Sequence, residues 1–227
     1  MTPESIQPDT RWKIRIDKEA FDKLKTDESF WQIVALARAV NSLRFVQTVL
    51  EPYHEDDSPA AVRVRHNSFF FACSLLYEVS KTVQHFGKHH RELQEYKAMM
   101  AVINTHAAVD LRDSNLGELR NKLVFHFGCD EIGVQLAKLE LEEPIFAIGK
   151  GGTNKQVYLE LADLCVINAF AGFPLSEKKE DLQRMTELIK KTTELLLQFV
   201  DAADLFIRAV LQSTGWAFEK IDSGVLS

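Results

Sequence analysis

Proline and glycine are scarce, at 6 and 10 of 227 residues. That leaves few points where a long helix must break. Cysteine is scarcer still. Cys73, Cys129 and Cys165 are far apart and contain no CxxC pair. An odd number at such spacing excludes a disulfide framework and a thiolate zinc site as first readings and points to a reducing compartment. The first residues, Met-Thr-Pro-Glu-Ser, carry neither a basic nor an apolar stretch, so a secretory signal is not expected. Unbroken apolar runs are far shorter than the roughly 20 residues a bilayer demands. There is no low-complexity segment, no internal repeat and no tail of one charge sign. Taken together, these absences lead to the expectation of a soluble, cytoplasmic protein with no membrane association.

What the chain does have is a globular balance: 46% hydrophobic, 26% charged, net charge −6. The acidic average argues against a general nucleic-acid coat protein, which gains affinity by neutralising phosphates, but leaves room for a small basic site. The length suits one domain, 1–227. Its expected parts are an N-terminal arm and short helix over 1–26, an insertion over 131–165, and a long C-terminal helix over 176–212.

Apolar periodicity is helical through most of the chain. Asp27 caps a helix to about Leu50, with Ile33, Leu36, Val40, Leu43, Val46 and Leu50 on one face. Pro52 ends it, and 54–59 read as a loop. A central helix follows from about Ala60 to Phe86. Its face carries Phe69, Cys73, Leu76, Ser80 and Val83, flanked by Phe70 and Tyr77, and Gly87 ends or breaks it. Another helix covers about 90–108. Asp113, Ser114 and Asn115 offer caps for the next, with Asn115 and Glu118 spaced as a capping box. That helix runs to Phe127 and stops at Gly128.

Two regions depart from this pattern or extend it. Residues 11–16 alternate and suit a short strand. Residues 144–160 suit a β-hairpin around Gly149-Lys150-Gly151-Gly152. A Walker phosphate loop is excluded there, because Pro144 stands where its first glycine belongs and Gly151 where its Ser or Thr belongs. Residues 160–170 fit helix or strand. From Ser176, the residues Leu182, Met185, Ile189, Thr192, Leu196, Phe199, Ala203, Phe206 and Val210 follow a 3,4 spacing. An ordinary bundle helix and a coiled-coil dimer seam share that spacing, the former being the commoner case. The fold class expected is all-α: an up-and-down bundle of long helices with a small hairpin insertion.

Chemistry concentrates in Leu119-Arg120-Asn121-Lys122-Leu123-Val124-Phe125-His126-Phe127. Arginine supplies a permanent planar cation that forks onto phosphate oxygens, histidine moves a proton near neutral pH, and asparagine orients a hydroxyl or amide. Six residues at ~100° each put Arg120 and His126 about 120° apart on an ideal helix. They can flank one cleft but do not stack, so a site completed by a second helix or a second subunit fits better. The plainer reading makes Arg120 a surface ion-pair residue and His126 a helix-end residue.

This segment resembles the Arg-x4–6-His motif of the HEPN superfamily. Arg120 matches the family arginine, Asn121 its polar neighbour and His126 the histidine, with five residues between. The motif likeness spans about nine residues, and the helical layout extends it loosely over 28–212. The resemblance implies a helical bundle, a metal-independent ribonuclease with no cofactor, and an active site formed by homodimerisation. It further implies a role in toxin–antitoxin or abortive-infection defence, with RNA as substrate and an antitoxin protein as partner. The apparent hairpin and the acidic charge depart from a simple member. Some members place an acidic or polar residue on an earlier helix near the motif, which suggests that Glu78 pairs with Arg120; the plainer reading, and the commoner case for glutamate, is a helix-edge residue in water. The rival reading is a non-catalytic module of the same family, nucleotide-binding or a dimeric scaffold. A third, a metalloprotein built on His85, His89 and His90, is weakened by Gly87 between them and by the lack of a nearby Cys or Asp.

Overall fold

Asp27 accepts a hydrogen bond from the Ser29 amide at 2.8 Å and starts α2 (Glu28–Leu50), where the sequence placed the cap. The computed structural model describes residues 12–14, 16, 18–53, 55–120, 129–139, 160–173, 176, 178–213 and 218–220. These are mostly helical. A short helix α1 (Lys18–Leu24) precedes α2. Ser58 caps α3 (Pro59–Thr82), with Pro59 in the first turn, where its missing N–H costs nothing.

The central helix breaks just ahead of Gly87 and does not stop there. The chain narrows into a tight turn over Val83–Phe86 and runs on as α4 (Gly87–His90). Gly87 keeps right-handed helical angles, and a β-carbon there would meet the Tyr96 hydroxyl at 3.1 Å. Its smallness admits Tyr96, whose hydroxyl donates to the Val83 carbonyl. Next come α5 (Gln94–Ile103) and α6 (His106–Asp110), divided by the cap Thr105, which accepts from the Ala108 amide.

No helix starts at the caps expected over Asp113–Asn115, because the backbone there is already helical. Leu111–Leu116 instead continue α6 as a π-turn into α7 (Gly117–Leu119), with the Gly117 amide donating to the Arg112 carbonyl five residues back. Asn115 is drawn elsewhere, and its Nδ2 donates to the Phe170 carbonyl. After α8 (Cys129–Leu136), residues 160–170 resolve as helix, within α9 (Glu160–Ala171). Gly172 (φ +70°) stops α9 in the left-handed conformation that favours glycine. The hairpin expected over 144–160 lies outside the described residues, except for Glu160, which begins α9. Last is α10 (Lys179–Ser213). Two three-residue strands, β1 (Trp12–Ile14) and β2 (Phe218–Lys220), pair antiparallel.

The core sits where α10 packs on α5 and α2, and α2 on α3. Ile33, Leu36, Val40, Leu43 and Val46 face it from α2, while Leu50 is only partly covered. From α10, Thr192, Leu196, Phe199, Ala203, Phe206 and Val210 are buried within the single chain, but Leu182 and Ile189 of the same spacing are exposed. Most of the seam therefore serves this chain's own interior. Thr192 tolerates burial because its hydroxyl donates to the Leu188 carbonyl at 2.8 Å. Phe170 packs edge-on to Phe69 and Phe70, tying α9 to α3.

α2 is also apolar on its outer side, with Trp31, Val34 and Phe45 exposed. By length and composition, Glu28–Tyr53 could cross a membrane, although its core face is engaged with α3 and α10.

The start of α2 is clamped to α4. Lys88 Nζ and His89 Nε2 lie 2.7 and 3.3 Å from the Glu28 carboxylate. His90 is buried, with Nε2 3.2 Å from Ser29 Oγ and its ring edge-on to Phe206. Burial pushes His90 below the usual histidine range, aided by the nearby His89 and opposed by Ser29 and Asp27. A folded-state value below the unfolded one means the unfolded chain binds the extra proton. Stability is then fully present above about pH 6.5, the unfolded histidine value, and declines as pH falls through it. Urea unfolding should show a lower midpoint at pH 5.5 than at 7.5, with the difference reduced in His90→Gln. An equal difference in that variant would assign the pH dependence elsewhere. Glu28, held low mainly by Lys88 and His89, loses its contribution only as pH falls through and below the usual carboxylate range, which lies under the pH window of the urea comparison.

Candidate functional site

Arg120 lies just past α7, at the end of the described part of its segment, and the segment's close packing on α3 decides what it meets. A β-carbon at Gly117 would lie 3.1 Å from Tyr77 Cε2 and 3.2 Å from the Arg112 carbonyl. A side chain there would have to push the Tyr77 ring and the Arg112 carbonyl back by a few tenths of an ångström. Replacing a mid-helix glycine by alanine ordinarily stabilises by about 0.5–1 kcal/mol. Here Gly117→Ala should forfeit that gain, and Gly117→Val should cost about 1–3 kcal/mol through overpacking. Urea denaturation checks both, and a stabilised Gly117→Val would contradict the packing argument.

The approach sets Arg120 against Glu78, with Nε 2.5 Å from Oε1. The pairing expected from sequence is formed. Although the distance is short, Nε is shielded and not well directed at the carboxylate, so the contact is an ion pair more than an aligned hydrogen bond. The Arg120 side chain is 33% exposed and that of Glu78 47%. Arg120 is therefore accessible to a ligand and not sealed in the core. An ion pair this exposed is worth about 0–1 kcal/mol, and for Arg120 it also fits the plainer reading of a surface ion-pair residue.

Residues that the sequence had not marked as functional lie alongside. Arg112 grips its neighbour Asp113, with Nε–Oδ1 at 2.8 Å and Nη2–Oδ2 at 3.3 Å. Asp113 is held below the usual carboxylate range, first by the Arg112 hydrogen bond and further by the charges of Arg112 and Lys81. Lys81 donates to the Tyr77 hydroxyl and stands 4.1 Å from the centre of that ring. Along this seam, three cations (Lys81, Arg112, Arg120) face two carboxylates (Glu78, Asp113), in a chain whose net charge is −6. Eight residues of ideal α-helix would set Arg112 and Arg120 about 80° apart. The intervening π-turn winds less per residue and narrows that angle. No sequence signal announced the turn, so Arg112 could not have been linked to Arg120.

Asn121 and His126 lie outside the described residues, as does the glycine-rich stretch 149–153. The proposed histidine cluster does not converge. His89 meets Glu28, His90 meets Ser29 and Phe206, and among the described residues no three His, Cys, Asp or Glu side chains gather as metal ligands. Burial pushes the Cys73 and Cys165 thiols up, away from the reactive thiolate. A separate concavity of about 410 Å³ between α6 and α10 is lined by Thr105, Asp110, Ser114, Asn115, Lys191 and Glu194, among others, and by neither Arg120 nor Glu78.

Comparison with known proteins returns no matching family model, and no curated protein or solved structure resembles the chain at a significant level.

Proposed function

We propose that this chain is a metal-independent endoribonuclease of the HEPN kind, an up-and-down helical bundle acting as a homodimer, with Arg120, Asn121 and His126 as its catalytic residues. The observation that carries this reading is the accessible Arg120 guanidinium, poised on Glu78 beside a π-turn and followed directly by Asn121 and, five residues on, His126. Such turns occur frequently at functional sites.

In this reaction the RNA 2′-hydroxyl attacks the adjacent phosphorus, the bond to the 5′-oxygen breaks, and the products are a 2′,3′-cyclic phosphate and a 5′-hydroxyl. His126 accepts the 2′-hydroxyl proton or donates one to the leaving oxygen. Arg120 stabilises the charge that builds on the phosphorane-like transition state. Asn121 orients the phosphate or the guanidinium. Glu78 positions Arg120 and does not touch the reacting atoms. The nucleophile belongs to the substrate, so no metal or cofactor is required. The biological setting that goes with the reading is cytoplasmic defence, in a toxin–antitoxin or abortive-infection system with an antitoxin partner.

The acidic net charge and the carboxylate already seated on Arg120 favour a second reading, a non-catalytic module of the same type that binds a nucleotide or serves as a dimeric scaffold. RNA incubated with purified protein in EDTA separates the two. Cleavage by the parent, lost in Arg120→Ala and His126→Ala, supports the enzyme. Intact RNA at high protein concentration selects the module.

A further inference from the structure

The reaction engages one phosphate, but a polynucleotide presents others on either side. α3 carries a second cationic element for which the proposed chemistry has no use. Lys81 follows Tyr77 by four residues, so the two side chains share one face of α3. The Lys81 ammonium donates to the Tyr77 hydroxyl and also sits over the Tyr77 ring, two contacts that fix an otherwise flexible side chain. A lysine side chain carries about 2 kcal/mol of rotamer entropy, and holding the ammonium in place lowers what a ligand must offset. Tyr77 is itself buried against Gly117, so the anchor rests on a close contact between α3 and the motif segment.

The anchor lies close to the proposed reaction centre. Glu78, which holds Arg120, precedes Lys81 by three residues, a spacing that places β-carbons about 5–6 Å apart on a helix. Lys81 is exposed, as a ligand requires. Arg112 has its Nε and Nη2 engaged by Asp113 and its Nη1 buried, so its role is to fix the wall of the site and not to meet the ligand. Lys81 thus lies about one helical turn along α3 from Glu78, the residue that pairs with Arg120 across from α3.

We propose that Lys81, held by Tyr77, forms a backbone-phosphate subsite that takes the phosphodiester next to the one reacting at Arg120, and so orients single-stranded RNA along α3. This rests on the ribonuclease reading for the identity of the polyanion, although the subsite is read from α3 alone. Lys81 is a positioning residue under this proposal, since it meets a phosphate whose bonds do not change.

The test uses two substrates and one binding measurement. On a labelled oligouridylate, Lys81→Ala should raise KM by about three- to tenfold, the range for loss of one exposed charged contact, and leave kcat within about twofold. On the dinucleotide UpU, which has no neighbouring phosphodiester, Lys81→Ala and parent should cut alike. Lys81→Arg should retain most of the oligonucleotide affinity. Lys23→Ala, which removes the same charge from α1, should change neither substrate. In anisotropy titrations of the full-length chain in EDTA, with His126→Ala as background so that the RNA stays intact, Lys81→Ala should reduce the slope of log affinity against log salt by about 0.7, the value for one lost single-strand phosphate contact.

Equal loss on UpU and oligouridylate, or an unchanged KM and salt slope, overturns the subsite and leaves the ribonuclease reading standing. Lys81-dependent oligouridylate binding without any cleavage keeps the subsite and overturns the ribonuclease reading. Absence of both binding and cleavage overturns both.

Discussion

Arg120→Ala should lower RNA cleavage by about 10²–10³-fold, the loss typical of removing one group that stabilises transition-state charge. The fall should appear in kcat as well as kcat/KM, because the guanidinium is needed most when charge develops on the phosphate. His126→Ala should cost about 10²–10⁴-fold by removing the proton-transfer group. Neither loss can be assigned to unfolding if stability is measured in parallel. Arg120 is bound to Glu78 in a half-exposed ion pair, so its removal should shift the urea unfolding free energy by no more than about 1 kcal/mol. Glu78→Gln completes the set. It keeps the shape, removes the charge that holds Arg120, and should lower kcat/KM by about tenfold through misplacement of the guanidinium. Unchanged activity in Glu78→Gln would reduce the pair to a surface contact, and full activity in Arg120→Ala would remove the site altogether.

The largest stability effect should come from Phe206→Ala. This ring is fully buried, packs against His90 and Tyr96, and joins α10 to α4 and α5. Removing a core phenyl ring costs about 3–5 kcal/mol, the transfer term plus the cavity left behind. A neighbouring exposed leucine on the same helix provides the internal control. Leu205→Ala should cost within about 0.5 kcal/mol, as for surface changes with no buried partner. Comparable losses at the two positions would mean that α10 is rotated from the orientation described, with Leu205 covered by a partner or by another part of the chain.

That orientation was legible before any coordinates, and the reason is physical. A long helix with one buried face repeats its apolar residues every three or four positions, and neither α2 nor α10 contains a proline or glycine to disturb the count. Hence the cap at Asp27 and the faces running through Ile33 to Val46 and Thr192 to Val210 were readable directly. Failures occur where a tertiary partner outbids a local rule. Asn115 and Glu118 have the spacing of a capping box, but Asn115 sits inside a π-turn, where its backbone is already helical, and its Nδ2 is turned to donate to the Phe170 carbonyl, fifty-five residues away. Gly87 looked like a terminator, yet it is a helical residue kept small for Tyr96.

Within the candidate site, the Glu78–Arg120 pair was suggested by the motif resemblance, and Glu78 makes it while remaining half exposed, so burial was not what required a partner. No such signal marked Lys81, Arg112 and Gly117. Their relation depends on how closely α3 and the motif segment approach and on how far the π-turn rotates one against the other, and neither quantity leaves a periodic trace in sequence.

All of the chemistry assigned to the motif depends on the substrate carrying its own nucleophile. An oligoribonucleotide and the same oligomer with a single 2′-deoxy sugar at the cleaved position, both incubated with the parent protein in EDTA, put this to direct trial. Scission of the first into a 2′,3′-cyclic phosphate and a 5′-hydroxyl, with the second left whole at that position, is the expected result. Equal cutting of both, or cutting that stops when divalent ions are chelated, would contradict it.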